Sequence, residues 1–188
     1  MTTYKEIHGT KVEVRDDDPA NPVNGQVWYN SQTLKGFKLN PAGAWASGGN
    51  MNTARQIVAG AGTQTAGLVF GGNVPNTALN ESYNGSAWTE EADLNTARRA
   101  YGGTGTQTAA LLVSGHTDGS GSDTAVVESW NGSSWTEVNE LNTGRTQAAG
   151  CGITTSGMAA GGHPGSGTTA DVELWNGSSW TETTEMNT

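Results

Sequence analysis

The sequence predicts an all-β chain of tandem four-stranded antiparallel units, and three observations carry that prediction. Of 188 residues, 28 are Gly, and Thr, Ser and Asn abound. Gly costs about 1 kcal/mol per helical position relative to Ala, so a helical bundle or a doubly wound α/β domain is disfavoured. Seven Trp stand against two Phe in a chain that is 34% hydrophobic, so a core has to be built from a few large side chains at fixed places. The third observation is an internal repeat, which decides more than any propensity.

Three segments read ESYNGSAWTE (81–90), ESWNGSSWTE (128–137) and ELWNGSSWTE (173–182). Seven residues after the second aromatic of each stands Asn-Thr, at Asn95, Asn142 and Asn187, and Trp45 sets the same phase for Asn52. Trp45, Trp88, Trp135 and Trp180 are spaced 43, 47 and 45 residues apart. From Arg55 to Gly71, Arg98 to Ser114 and Arg145 to Gly161 the distance is always 16, whereas from those small residues to the second aromatic it is 17, 21 and 19. All length variation therefore falls in one loop per repeat: 73–80, 116–126 and 163–172. A fixed framework with one variable loop is the pattern of stacked units with a tolerant or ligand-binding face.

Each unit divides into four strands in order. The first is the small, Gly-rich stretch after the Arg (56–62, 99–105, 146–152), followed by a Thr-containing turn. The second is an apolar run of buried-strand length: AGLVFGG, AALLVSG and GMAAGGH. The third follows the variable loop and ends in an aromatic: Tyr83, Trp130 or Trp175. The fourth begins near the Trp. The Asn-Gly dipeptides at 84, 131 and 176 signal a two-residue hairpin with both central residues at positive φ. With Asn131-Gly132 as the turn, Trp130 would pair with Ser133 and Glu128 with Trp135, leaving both tryptophans on one face, where a neighbouring unit can bury them.

The N-terminal part is organised differently. A short strand is expected around Lys11 to Arg15, then a linker punctuated by Asp16-Asp17-Asp18-Pro19 and Asn21-Pro22. Hairpin strands are expected at Val27 to Tyr29, Leu34 to Leu39 and Ala44 to Ala46. The expected division is 1–50, an attachment segment and hairpins ending in a half blade, and 51–188, with units 51–93, 94–140 and 141–186 and the start of a fourth.

A four-stranded antiparallel unit of this length with a recurring aromatic pair fits a β-propeller blade better than a solenoid coil. A Gly-Gly closing strand two, an aromatic in strand three, a Trp in strand four and then a short loop with Thr and Arg resemble the kelch repeat over 51–188. The departure is the short interval of five residues from aromatic to Trp, which implies a tighter turn. The N-terminal wording, from YKEIHGTKVEVRDDDPANPVNGQVWYN to NPAGAW, resembles a segment that precedes such repeats in virion proteins of marine bacteriophages. These resemblances imply a virion fibre or appendage protein. Three blades cannot close a ring of the usual four to eight or so. Either the sequence is a piece of a longer chain, as the closing EMNT suggests, or the ring is completed by self-association, for which a twofold arrangement is commonest.

Charge and composition narrow the partners. Residues 1–50 carry five acids and five bases, while 51–188 carry thirteen acids and four arginines. An acidic surface without a Lys or Arg cluster cannot release phosphate counterions, so nucleic acid is not the expected partner. No apolar run approaches the ~20 residues of a membrane span, and MTTYKEIHG lacks the apolar core of a signal peptide. The expected location is the virion. Cys151 is the lone cysteine, so neither an intrachain disulfide nor a cysteine-based zinc site can form.

Up-and-down strands put the variable loops and the Asn-Thr-x-Arg segments at one end of each unit. That end offers His116, Asp118, Asp123, His163 and Asp171, polar groups suited to sugar hydroxyls or, equally, to solvent. HTDGSGSD is rich in oxygen donors for Ca²⁺, yet its spacing departs from the EF-hand template, so no metal is expected. His116 and His163 occupy matching positions, but Asn73 takes that place in the first unit. Arg55, Arg98 and Arg145 recur at one framework position and need partners if buried: backbone carbonyls or the repeated Glu81, Glu128 and Glu173. The aromatic pairs read as core between units.

There is no G-x-S-x-G, no phosphate loop and no paired acids at a matched site; Glu90-Glu91 adjoins a turn. Copper oxidases built on kelch-like propellers use a Tyr, Cys and His ligand set that this chain lacks. No cofactor is expected, and the chain reads as a non-enzyme that binds host surface glycans or other virion proteins. The rivals are a propeller scaffold for protein partners and an extracellular carbohydrate-active enzyme.

Overall fold

The computed structural model describes residues 13–15, 27–30, 33–37, 47–73, 75–117 and 123–187. Among them every regular element is a strand and none is a helix, as the Gly, Thr and Asn content requires. The chain divides into two compact units, 1–47 and 48–188.

The first unit holds a three-stranded sheet of β1 (Glu13–Arg15), β2 (Val27–Asn30) and β3 (Thr33–Phe37), in that order. β2 and β3 form the expected hairpin, with a register shift after Val27. β1 pairs with β2 in parallel, so the short strand before the proline-rich stretch joins the sheet. The expected strand Ala44 to Ala46, with Trp45, lies outside the described residues.

The second unit holds three four-stranded antiparallel sheets, each running up and down in chain order. They are β4 (Ala59–Thr63), β5 (Ala66–Phe70), β6 (Asn80–Tyr83) and β7 (Trp88–Glu90); β8 (Gly102–Thr106), β9 (Ala109–His116), β10 (Asp123–Trp130) and β11 (Trp135–Val138); and β12 (Ala149–Ile153), β13 (Ser156–Ala160), β14 (Val172–Trp175) and β15 (Trp180–Thr183). The first strands begin three residues later than the pattern suggested. Gln56, Arg99 and Thr146 make isolated bridges to Asn73, His116 and His163, and Ile57 and Gln147 then break the ladder with φ of 56° and 58°.

The glycines of the first strands have a packing reason. β8 lies against β4 on one side and β12 on the other, and the backbones come close enough to exclude side chains. A Cβ on Gly103 would stand 2.7 Å from the Gly60 carbonyl oxygen, and one on Gly150 would stand 3.1 Å from the Gly102 carbonyl carbon.

The second, third and fourth strands carry most of the core. Leu68, Phe70, Leu112, Trp130 and Trp135 form one buried cluster, and Leu111, Val113, Val127, Trp175 and Trp180 form the other. Alternation along β9 sends Leu112 toward the first sheet and Leu111 and Val113 toward the third. The aromatic pair of each later sheet thus packs on the aliphatic face of the sheet before it. Phe70 meets Trp135 edge to face at 4.8 Å, an arrangement worth about 1 kcal/mol beyond burial.

The hairpins between strands three and four differ from the two-residue turn. Trp130 pairs directly with Trp135 and Glu128 with Glu137, so the loop is the four residues 131–134. Asn131 Oδ1 accepts the N–H groups of Ser133 and Ser134, each at 2.9 Å, and only Gly132 takes a positive φ, 94°. Asn serves here by capping the loop with its side chain. The same loop recurs at Asn84 and Asn176. The aromatics still share a face, at 5.4 Å for Trp130 and Trp135 and 5.2 Å for Trp175 and Trp180.

Candidate functional site

One end of each sheet is closed by a buried clamp built from Asn-Thr-x-Arg and the Glu of strand three. Arg55 pairs with Glu81, Arg98 with Glu128 at 2.9 Å, and Arg145 with Glu173. Glu128 is 0% exposed and its counterparts 1%. A buried carboxylate is tolerable only when its lone pairs are filled, and the Asn-Thr backbone fills them. Asn52 N–H donates to Glu81 at 2.7 Å, Asn95 N–H to Glu128 at 2.7 Å and Asn142 N–H to Glu173 at 2.8 Å. The Asn95 and Asn142 side-chain amides donate to the same oxygens. Burial pushes the Glu81 carboxyl up, but Arg55 and the Asn52 and Thr53 N–H groups outweigh it and hold the group below its ordinary value. Burial likewise pulls the Arg98 guanidinium down, partly offset by Glu128.

The clamps are not identical. Arg55 also donates from Nε to the Gly71 carbonyl at 3.0 Å, from Nη1 to Thr53 and from Nη2 to Val69. Arg145 has Asp171 Oδ2 at 3.7 Å besides Glu173, so Asp171 supports the clamp from the third variable loop.

The variable loops lie beside the clamps. The second is shorter than its length suggested, because β9 runs to His116 and β10 starts at Asp123. The added residues of that repeat extend a hairpin, with a register shift between Thr124 and Val127. His116 and Asp123 face each other across it, and His116 Nδ1–H donates to Asp123 Oδ1 at 3.0 Å, which fixes the ring's orientation. Asp118 lies outside the described residues. His163 bridges Thr146 in the third unit, and no described contact joins it to His116.

Two residues that the sequence pattern did not single out link the first loop to the second. Asn76 donates from Nδ2 to the His116 carbonyl at 3.1 Å and accepts from Arg99 Nε at 3.2 Å. The signal for Arg99 was available: a second Arg follows the framework Arg98 in this unit alone. The third loop adjoins the second, since a Cβ on Gly165 would stand 3.9 Å from Asp123 Oδ2. The described parts of the three loops thus adjoin one another in order. A cleft of ≈ 180 Å³ opens among Thr53, Arg55, Pro75, Asn76, Thr77 and Leu79, smaller than the roughly 300 Å³ at which sites for drug-sized ligands begin.

The aromatic pairs are structural in the second and third sheets: Trp130, Trp135, Trp175 and Trp180 are buried. Trp130 and Trp175 donate from Nε1 to the carbonyls of Gln107 and Thr154 in the preceding turns. In the first sheet, Tyr83 and Trp88 are half-buried. Among the described residues, no group of three or more His, Cys, Asp or Glu is placed to hold a metal ion, and no helix is long and apolar enough to cross a membrane. Compared with known proteins, the chain matches no family model and no curated protein.

Proposed function

We propose that the three sheets are kelch-like blades of a β-propeller and that the chain is a non-enzymatic recognition module whose variable loops form the ligand face. The observation that carries this reading is the adjacency of the described parts of the three loops, through Asn76 to His116 and Asp123 to the Gly165 turn, beside the buried clamps. The adjoining loops offer amide, imidazole and carboxylate groups on an open surface, which suits the hydroxyls of surface glycans. The blade reading draws on the contacts of the Gly-rich first strands with one another, β8 against β4 and β12. The setting, a phage virion fibre or appendage that touches the host, rests on the resemblance of the N-terminal wording.

The test is a glycan array probed with the full chain and with a variant whose residues 116–126 are replaced by 73–80. Binding to a defined glycan class that is lost in the variant supports the reading. A defined protein partner with no glycan signal favours the scaffold, and release of products from a polysaccharide favours an enzyme.

A further inference from the structure

The hairpin loops between strands three and four carry a reactive pair that the recognition reading leaves unused. Asn84, Asn131 and Asn176 are exposed, and each is followed by Gly-Ser. In such a pair the glycine nitrogen can attack the Asn Cγ, because no Cβ shields its approach. The attack closes a five-membered imide and expels Nδ2 as ammonia, which takes up the proton lost by the glycine nitrogen. Water then opens the imide at either carbonyl, leaving aspartate or isoaspartate. The loops favour the first step. Each Asn Oδ1 accepts two backbone N–H groups at 2.9 or 3.0 Å, placed where negative charge grows in the tetrahedral intermediate, as in an oxyanion hole.

The three loops differ in how the leaving nitrogen and the loop itself are held. Asn131 Nδ2 donates to Ser134 Oγ at 3.2 Å, and Asn176 Nδ2 to Ser179 Oγ at 3.1 Å. A nitrogen fixed as a planar amide donor resists the pyramidal form in which it leaves. The corresponding residue of the first loop is Ala87, which has no hydroxyl to accept that bond. The third loop has a further tie, because Asn139, just past β11, donates from Nδ2 to the Ser178 carbonyl at 2.6 Å. At the aligned places before the first and second loops stand Gly49 and Ala92, which have no amide side chain to give.

We propose that Asn84 is a site of spontaneous conversion to aspartate and isoaspartate in the folded protein, with Asn131 slower and Asn176 slowest. The two products act differently on the sheet. Aspartate keeps the oxygen that caps the loop. Isoaspartate carries the side-chain methylene into the backbone and loses the cap, at the turn that sets Tyr83 against Trp88. Either product brings a carboxylate to loops that hold no charged residue at 84–87, 131–134 or 176–179. Thr65, Thr108 and Thr155 of the turns between strands one and two adjoin the three glycines, so this end of each sheet lies away from the variable loops.

Prolonged incubation of the full chain in mildly alkaline buffer tests this, with conversion at each Asn followed by peptide mapping in a mass spectrometer and isoaspartate counted by enzymatic methylation. Asn84 should convert several-fold faster than Asn131, and Asn131 faster than Asn176. In guanidinium chloride the three sites, all Asn-Gly-Ser, should converge on one rate. Ala87→Ser should slow Asn84 to the rate of Asn131, while Ser179→Ala and Asn139→Ala should each speed Asn176. No conversion at Asn84, equal rates in the folded chain, or Asn176 as fast as Asn84 overturns the proposal. So does an order that persists in guanidinium chloride, or an Ala87→Ser variant that converts as fast as the wild type. If a variant fails to fold, the wild-type order and its collapse in guanidinium chloride still decide.

Discussion

The clamp and the variable loop of each unit lie at the same end of a sheet and are built on opposite terms. The clamp buries a full charge pair and fills it with backbone donors, so a change in one member leaves an unpaired charge inside the protein. The loop next to it is half-buried to exposed over most of its described residues and absorbs all the length variation of the repeat. The difference teaches that the repeat tolerates change at its loops because none of the framework's ionic closure is entrusted to them, Asp171 excepted.

The comparison breaks most severely at Glu128. Glu128→Ala leaves Arg98 buried without its carboxylate, and removal of one partner of a buried pair costs about 3–5 kcal/mol. Urea unfolding should show that loss as a lower midpoint at unchanged slope. Glu81→Ala should cost less, because Arg55 keeps its bonds to the Gly71, Val69 and Thr53 carbonyls. Equal losses at the two sites would mean that those carbonyls contribute nothing.

Acid should act on the same clamps. Glu81 is held below its ordinary value in the folded state, so its contribution is fully present above the unfolded carboxyl pKa, about 4.3, and is lost as pH falls through the lower folded value. Unfolding free energy measured from pH 7 downward should stay level with respect to this group and then drop below that point. In Glu81→Gln the drop should be smaller. An equal drop in the variant would place the acid sensitivity elsewhere.

A gain is expected at Ser114. Gly71, Ser114 and Gly161 share a left-handed conformation, with φ of 65°, 59° and 62°. Ser114 is fully buried and its hydroxyl has no hydrogen-bond partner among the described residues. Ser114→Gly relieves the backbone strain and the unsatisfied hydroxyl, and should stabilise the chain by about 1 kcal/mol net of the entropy that Gly adds to the unfolded state. Thermal unfolding checks the sign.

What could be read from the sequence follows from periodicity. The four strands, the shared face of the aromatics and the candidate partners of Arg55, Arg98 and Arg145 each recur in three units, so one unit's ambiguity is resolved by the others. The features that escaped are those that occur once or act through a side chain. The Asn76, Arg99 and His116 link joins different units by residues without counterparts. The hairpin loop departs from the two-residue turn because Asn131 caps it through its side chain and not through a positive φ. The extended β9–β10 hairpin is not legible in the sequence because length variation marks where a repeat changes and says nothing of whether the added residues pair.

The smallest expected effect sits at that hairpin. His116 and Asp123 are paired in register, so replacing residues 117–122 with Asn-Gly would join them by a two-residue turn of the kind such strands favour. The charged and polar contacts of Asn76, His116 and Asp123 are kept, and no clamp residue is touched. Stability should therefore change by no more than about 0.5 kcal/mol, while glycan binding reports whether the tip itself carries recognition. A stability loss as large as that of Glu128→Ala would show that the second loop props the framework, and the division between rigid clamp and free loop would fail in this unit.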